Sequence, residues 1–271
     1  MLQQSLAIGP MGFSLHQLII GFAFLLALLV GALLGRRQQV SVSDTLFTLL
    51  MVALLAARLV FVVRYWGEYD GLLARLDIRD GGFDLLAGAL AGIGYGVWAL
   101  WRSPRQRAPL GAAMLTGGLV WGVTLGSTLL IEQQTRPLPT TPLSTLEDTP
   151  ISLPELAQQQ GQPMVVNLWA SWCPPCIREM PVFEAAQQQE QDVTFVFVNQ
   201  GESLPQINRF MAEHGFQLDN VWQDPRNALG QVTGAHAMPT TLYYDAQGQL
   251  VSTHFGELSR ATLNDGLSRI R

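Results

Sequence analysis

Val165-Val166-Asn167-Leu168-Trp169-Ala170-Ser171-Trp172-Cys173-Pro174-Pro175-Cys176 is the stretch on which the fold turns. Met164–Trp169 is a short apolar run bounded by Gly161 and Cys173, which reads as a buried strand. After it, Ile177, Met180, Phe183 and Glu184 recur near helical spacing, so a helix is expected over 174–189. The Cys-x-x-Cys pair therefore sits where a strand hands over to a helix. Two cysteines three apart lie on one turn and can close a small disulfide. The first would cap the helix N-terminus, where partial positive charge favours a thiolate. A free thiol of pKa ~8.5 is only about 3% ionised at neutral pH, and lowering the pKa to ~7 ionises about half. Pro174 suits the first helical position, where a missing N–H costs nothing, and Pro175 stiffens the loop. Cys173, nearer the helix start, is expected to be the attacking thiol and Cys176 the resolving one.

Other uses of two cysteines fit less well. Zinc needs four ligands, and His16, His214, His236 and His254 have no matching spacing. A c-type haem would need His after the second Cys, where Ile177 stands. A pair of merely structural cysteines is the remaining alternative. No metal is expected.

Outward from this motif, further elements can be read. Ser152 with Glu155 forms a capping box, so a short helix starts there. Val193–Val198 alternates as a strand, and Leu204–His214 reads as a helix. Thr240–Tyr244 and Leu250–Phe255 flank the turn Asp245-Ala246-Gln247-Gly248 as a hairpin. Ser259–Ile270 closes the chain as a helix with Ser259 at its N-cap. The order β-α-β-α-β-β-α implies an α/β sheet covered on both faces.

The first half is of another kind. The 271-residue chain is 48% hydrophobic and only 14% charged, with mean hydropathy +0.22, against ~25% charged in a typical soluble domain. All 16 basic residues are Arg. Residues 1–131 hold nine Arg and six acids, net +3, whereas 132–271 hold seven Arg and fifteen acids, net −8. The acidic second half argues against nucleic acid as a partner. Four apolar stretches, Leu15–Gly35, Thr45–Val63, Leu85–Trp101 and Ala108–Ile131, each have the length to cross ~30 Å of hydrocarbon. Arg36-Arg37 and Arg102, Arg105 and Arg107 mark the first and third loops as cytoplasmic, giving four spans with both ends outside. The second loop carries Arg64, Arg75 and Arg79 but also Glu68, Asp70, Asp77 and Asp80, and weakens that asymmetry. Arg58, inside the second stretch, either serves a function or snorkels to the outer interface.

Two family resemblances organise these readings. The Cys173–Cys176 flank, continuing through Glu179-Met180-Pro181, with Met238-Pro239-Thr240 further on, resembles thioredoxin-like proteins of the TlpA/ResA type over about 150–271. Met238-Pro239-Thr240 matches the family's cis-proline segment, Pro181 the proline that bends the active-site helix, and the segment around Gly201–Gly230 an insert of this branch. The resemblance implies a membrane-tethered extracytoplasmic thiol–disulfide oxidoreductase, with Trp172, Met238, Pro239 and Thr240 against the substrate. Its clients would be proteins with cysteines or disulfides, such as apocytochromes c or a disulfide isomerase. It needs no cofactor beyond the redox-active disulfide. Ordinary thioredoxins have a buried Asp six residues before the first Cys, and Asn167 stands here instead. Glu179, a family feature, either assists proton transfer or is a solvated helix residue.

Ile8-Gly9-Pro10, Arg36-Arg37, Ala57-Arg58-Leu59-Val60-Phe61-Val62, Tyr65, Asp80-Gly81-Gly82-Phe83 and Gly88-Ala89-Leu90-Ala91-Gly92 resemble the first part of prolipoprotein diacylglyceryl transferase over about 6–96. Leu86 stands where that family carries a His, and its later Arg-bearing segments have no counterpart. This half reads as a shortened relative serving as a membrane domain.

The expected fold is thus an α-helical membrane domain of four transmembrane helices (1–131), a Pro/Thr-rich spacer (132–150) and an α/β thioredoxin-like domain (151–271). The expected function is reduction of oxidised cysteines outside a bacterial inner membrane. A disulfide-donating oxidase, or a lipid-handling protein with an accessory thioredoxin domain, are the alternatives. With no thiol in residues 1–131, a reductase would need a separate membrane electron donor alongside the lipid bilayer as partner.

Overall fold

Long leucine- and alanine-rich runs propagate as helices, and they make the first of two compact units, built on residues between 16 and 132. The computed structural model describes the backbone of residues 5–8, 11–132 and 136–271 and the side chains of 17–124 and 136–271. A two-stranded ribbon, β1 (Ser5–Ile8) and β2 (Met11–Ser14), pairs Ser5 with Ser14 and Ile8 with Met11. Gly9 and Pro10 of the quoted motif lie outside the described residues.

The helical unit comprises α1 (Leu15–Gln38), α2 (Ser43–Arg64), the short α3 (Leu72–Leu76), α4 (Leu85–Arg102) and α5 (Arg107–Glu132). Among the described residues three helices are long and apolar enough to cross a membrane: Gln17–Gln38, Ser43–Arg64 and Leu85–Arg102. The fourth stretch expected to span coincides with α5, whose side chains from residue 125 onward lie outside the described residues. Close packing explains Gly88, Gly92 and Gly96 of α4. A Cβ at Gly88 would lie 3.0 Å from the Ala53 carbonyl oxygen, and one at Gly96 only 2.2 Å from Met114 Cε. Small residues let apolar helices approach where no hydrophobic force drives them together. Ala27, Val42, Leu46, Ala99, Leu110 and Ala113 form the shared interior.

The second unit, built on residues 136–271, is a thioredoxin-like α/β domain. Its elements are β3 (Leu143–Thr145), β4 (Pro150–Ile151), α6 (Leu153–Gln160), β5 (Met164–Trp169), α7 (Pro174–Gln189), β6 (Thr194–Gln200), α8 (Leu204–His214), β7 (Val221–Asp224), α9 (Ala228–Thr233), β8 (Thr240–Tyr244), β9 (Leu250–Phe255) and α10 (Arg260–Ile270). Seven strands form one sheet in the order β4-β3-β7-β6-β5-β8-β9. Strands β5, β6 and β7 run parallel at its centre, whereas β8, β9 and β3 are antiparallel to their neighbours. The period-2 pleat splits β5 between two cores. Val165 and Trp169 join Phe183, Phe195, Phe197, Leu263 and Leu267 on one face. Met164, Val166 and Leu168 join Leu153, Leu156, Val196, Val198 and Trp222 on the other.

The expected spacer is not all spacer. Leu143–Thr145 adds to β7 and Pro150 pairs Ser144, so the sheet begins inside 132–150. Pro150 is tolerated because β4 is an edge strand. Within 201–230 the chain forms α8, β7 and the start of α9, and β7 is an interior strand of the sheet.

Candidate active site

The buried parallel strands β5, β6 and β7 end on one side of the sheet, where the chain passes from β5 through Ala170, Ser171 and Trp172 into α7. Cys173 is the N-cap of α7: its amide donates to the Ala170 carbonyl at 3.2 Å, and its Sγ accepts the Cys176 amide at 3.3 Å. The sulfur thus lies at the positive end of a 16-residue helix. Cys173 and Cys176 are joined in a disulfide with their Cα atoms 5.3 Å apart. Cys173 is 4% exposed and Cys176 0%, so the first sulfur is the more accessible. Pro174 and Pro175 open the helix, and Pro181 lies within it. Trp172, immediately before the pair, is 66% exposed.

The Met238–Pro239 bond is cis. Thr240 is paired with Leu168 across the β5–β8 ladder, so this segment sits at the end of β5 from which the cysteine loop departs. Met238 is half-buried against the same cluster that holds both cysteines, and the Thr240 hydroxyl donates to the Ala237 carbonyl at 2.6 Å. These four residues and the disulfide therefore converge on one end of the sheet.

Beneath them lies a buried carboxyl. Glu179, one turn beyond Cys176, is fully buried, which removes the reading of it as a solvated helix residue. Its Oε1 accepts the Asn167 amide at 2.8 Å and its Oε2 the Leu258 N–H at 2.9 Å. Burial pushes its pKa up to about 8, the two hydrogen bonds opposing and the charge of Glu257 adding. Asn167 also donates to Thr241 Oγ1 at 3.1 Å, and its own Oδ1 is buried with no hydrogen-bond partner among the described residues.

One residue escaped the sequence reading. Glu202, 5% exposed, accepts from the Ser171 amide at 2.7 Å, the Ser171 hydroxyl at 2.5 Å and Asn199 Nδ2 at 2.6 Å. It ties the loop before Cys173 to the end of β6. The signal was Asn199-Gln200-Gly201-Glu202, a polar run at the end of a buried strand. His236 is exposed and His254 sits by the Glu257 carbonyl at 3.4 Å. Among the described residues no cluster of His, Cys, Asp or Glu is placed to hold a metal.

Residues 134–267 match the family model for Redoxin. The second half of the chain is a redoxin domain. Residues 3–128 match the family model for prolipoprotein diacylglyceryl transferase, so the chain joins two unlike parts. The redoxin part is 29% identical over 128 residues to the thiol-disulfide oxidoreductase ResA of Halalkalibacterium halodurans, covering 46% of this chain and 72% of the relative. It is also 29% identical over 112 residues to the thiol:disulfide interchange protein DsbE of Pasteurella multocida, covering 41% and 61%. Among solved structures it resembles a thioredoxin-family thiol:disulfide interchange protein from Chlorobium tepidum, at 26% identity and TM-score 0.43, over 51% of this chain and 97% of that one.

Proposed function

We propose that this thiol–disulfide oxidoreductase is a membrane-anchored reductase of oxidised cysteines in proteins outside the cytoplasm. The observation that carries the reading is a Cys173–Cys176 disulfide at a helix N-terminus with a buried carboxyl one turn further on. In the reduced state the Cys173 thiolate attacks one sulfur of a client disulfide. A mixed disulfide forms and one client thiolate leaves. Cys176 then attacks the Cys173 sulfur, the Cys173–Cys176 disulfide closes and the second client thiolate leaves, so two electrons pass to the client.

Each supporting residue has a part in this scheme. Trp172, Met238, Pro239 and Thr240 flank the more accessible sulfur, that of Cys173, and receive the client chain. Pro174 and Pro175 set the loop. Glu179 holds a proton near neutral pH and exchanges it with the Cys176 thiol. Asn167 suits both of Glu179's states, because an amide turned by 180° donates to a carboxylate or accepts from a carboxylic acid. The anchor is the apolar first half, with α5 as a fourth span and the redoxin domain on the outer face of a bacterial inner membrane. Electrons reach it from a separate membrane donor.

The test is covalent trapping. A Cys176→Ser chain expressed in its membrane should accumulate mixed disulfides through Cys173, released by reductant. A Cys173→Ser chain should accumulate none, and trapping only in that variant would reverse the two roles. Equilibration of the wild-type pair with a glutathione series then gives direction: a reductase needs a potential well below that of its clients.

A further inference from the structure

Between α2 and α4 the chain folds back on the helix it has just left. Arg58 stands six residues before the end of α2, about 9 Å short of it at 1.5 Å per residue. Its guanidinium is buried and donates to the Gly82 carbonyl at 2.9 Å, the Arg75 carbonyl at 3.2 Å and the Asp77 carbonyl. Next to it, the Ala57 carbonyl accepts the Asp84 amide at 3.0 Å. The loop is therefore fastened along the last two turns of α2, by these bonds at the level of Ala57 and Arg58 and by an ion pair from Arg64 to Asp84 at 2.9 Å. Helix α4 starts at Leu85, at that same level, and its 18 residues extend about 27 Å, close to the ~30 Å of a bilayer's hydrocarbon. The fastened loop thus lies where α4 enters the apolar layer.

The short helix α3 hangs from these bonds with apolar side chains facing outward. Exposure runs from 61% at Ile78 through Leu72 and Leu76 to 85% at Leu73. Positions 72, 73 and 76 share one helical face. Trp66 is exposed beside them, with the Arg75 guanidinium 3.8 Å over its ring. In the chain the patch lies between Val63 of α2 and Leu85 of α4, both exposed on helices long enough to span. An apolar patch of this kind marks a contact with protein or membrane. Its depth at the mouth of a span, together with a Trp and an Arg at its margin, fits the headgroup boundary.

We propose that α3 is an interfacial helix whose Leu72, Leu73 and Leu76, with Ile78 just beyond its end, insert among acyl chains, so that the partner of this surface is the lipid bilayer. The proposal rests on the membrane-anchoring reading. It also accounts for Arg58: the cation sits at the apolar boundary with backbone carbonyls as partners, and the bonds that satisfy it hold α3 at a fixed depth.

Single cysteines placed by Leu73→Cys, Leu76→Cys, Asp70→Cys and Leu55→Cys, in a full-length Cys173→Ser/Cys176→Ser chain, test this. Each is spin-labelled and reconstituted in phosphatidylcholine–phosphatidylglycerol vesicles. Accessibility to oxygen, which concentrates in lipid, is compared with accessibility to a water-soluble nickel chelate. Labels at 73 and 76 should show an oxygen-to-nickel ratio severalfold above that at 70 and approaching that at 55, in the middle of α2. A label at 55 in lipid with 73 and 76 open to nickel overturns the interfacial helix and leaves the anchor intact. Labels at 73 and 76 shielded from both reagents mean a protein face covers them, which also overturns it. A label at 55 open to nickel overturns both readings.

Discussion

The proton role proposed for Glu179 rests on its burial. An isolated carboxyl ionises near 4.5, and here burial raises it to about 8. Between those values the folded chain keeps a proton that the unfolded chain has released. The folded state then binds more protons, so stability falls as pH rises through this window. Glu179→Gln keeps the shape, stays neutral and removes that dependence. The thermal midpoint of the variant should decline less between about pH 5 and 8 than that of the wild type. In the reduced protein, the step near pH 8 in the rate of Cys173 alkylation should disappear. Parallel melting curves across the range, with an unchanged alkylation profile, would mean that the carboxyl titrates elsewhere. Glu202 accepts three hydrogen bonds from Ser171 and Asn199, which suits a group that fixes the loop before Cys173.

Packing between elements sets the tolerance of the redoxin domain. Helix α10 lies against β8 through Gly266, where a Cβ would fall 2.3 Å from Tyr243 Cε1 and Cζ. Tyr243 is 1% exposed and belongs to the core that carries both cysteines, so its ring has little room to yield. Gly266→Ala should destabilise the domain by about 1–3 kcal/mol, read as a lower urea midpoint of the full chain followed by tryptophan fluorescence. An unchanged midpoint would mean that α10 shifts freely on the sheet. This contact joins residues 23 apart and left no trace in the sequence, unlike the elements themselves. Met164–Trp169, Leu204–His214, Thr240–Tyr244 and Leu250–Phe255 were legible to the residue because each is an apolar or periodic run between Gly, Pro or capping residues. β7 was not, since Val221-Trp222-Gln223-Asp224 is four residues long and half polar, and its burial comes from neighbours on both sides. β3 was hidden among the prolines and threonines of a stretch whose composition suggests a spacer. At the site, the cysteines and the Met238-Pro239-Thr240 segment could be read because motif and spacing carry them. The bond from Glu202 to Ser171 spans 31 positions, a separation at which single-sequence patterns hold no information.

At the scale of the whole molecule, the two halves are unlike, and both thiols lie in the second. The charge asymmetry of the short loops implies that Arg36-Arg37 and Arg102, Arg105 and Arg107 face the cytoplasm. Alkaline phosphatase fused after Arg271 should then be active, and fusions at Arg37 or Arg105 inactive; a stable but inactive C-terminal fusion contradicts this topology. On that arrangement the dithiol works on one side of the bilayer, and its reducing equivalents originate on the other. Thiol relays need a sulfur at every step, and both cysteines of the chain, Cys173 and Cys176, lie in the redoxin domain. Residues 1–131 hold one histidine, His16, so a bis-histidine haem has no second ligand there. In the proposed reductase the membrane half would therefore anchor the domain without relaying electrons by disulfide exchange. The oxidised full chain, reconstituted alone in sealed vesicles with reduced thioredoxin inside, should keep its outward-facing Cys173–Cys176 disulfide indefinitely. Adding a membrane transporter of reducing equivalents should open it, measured as two thiols alkylated per chain. Reduction without that transporter, in vesicles shown to be sealed, would assign the membrane half a carrier other than sulfur and overturn its role as a passive anchor.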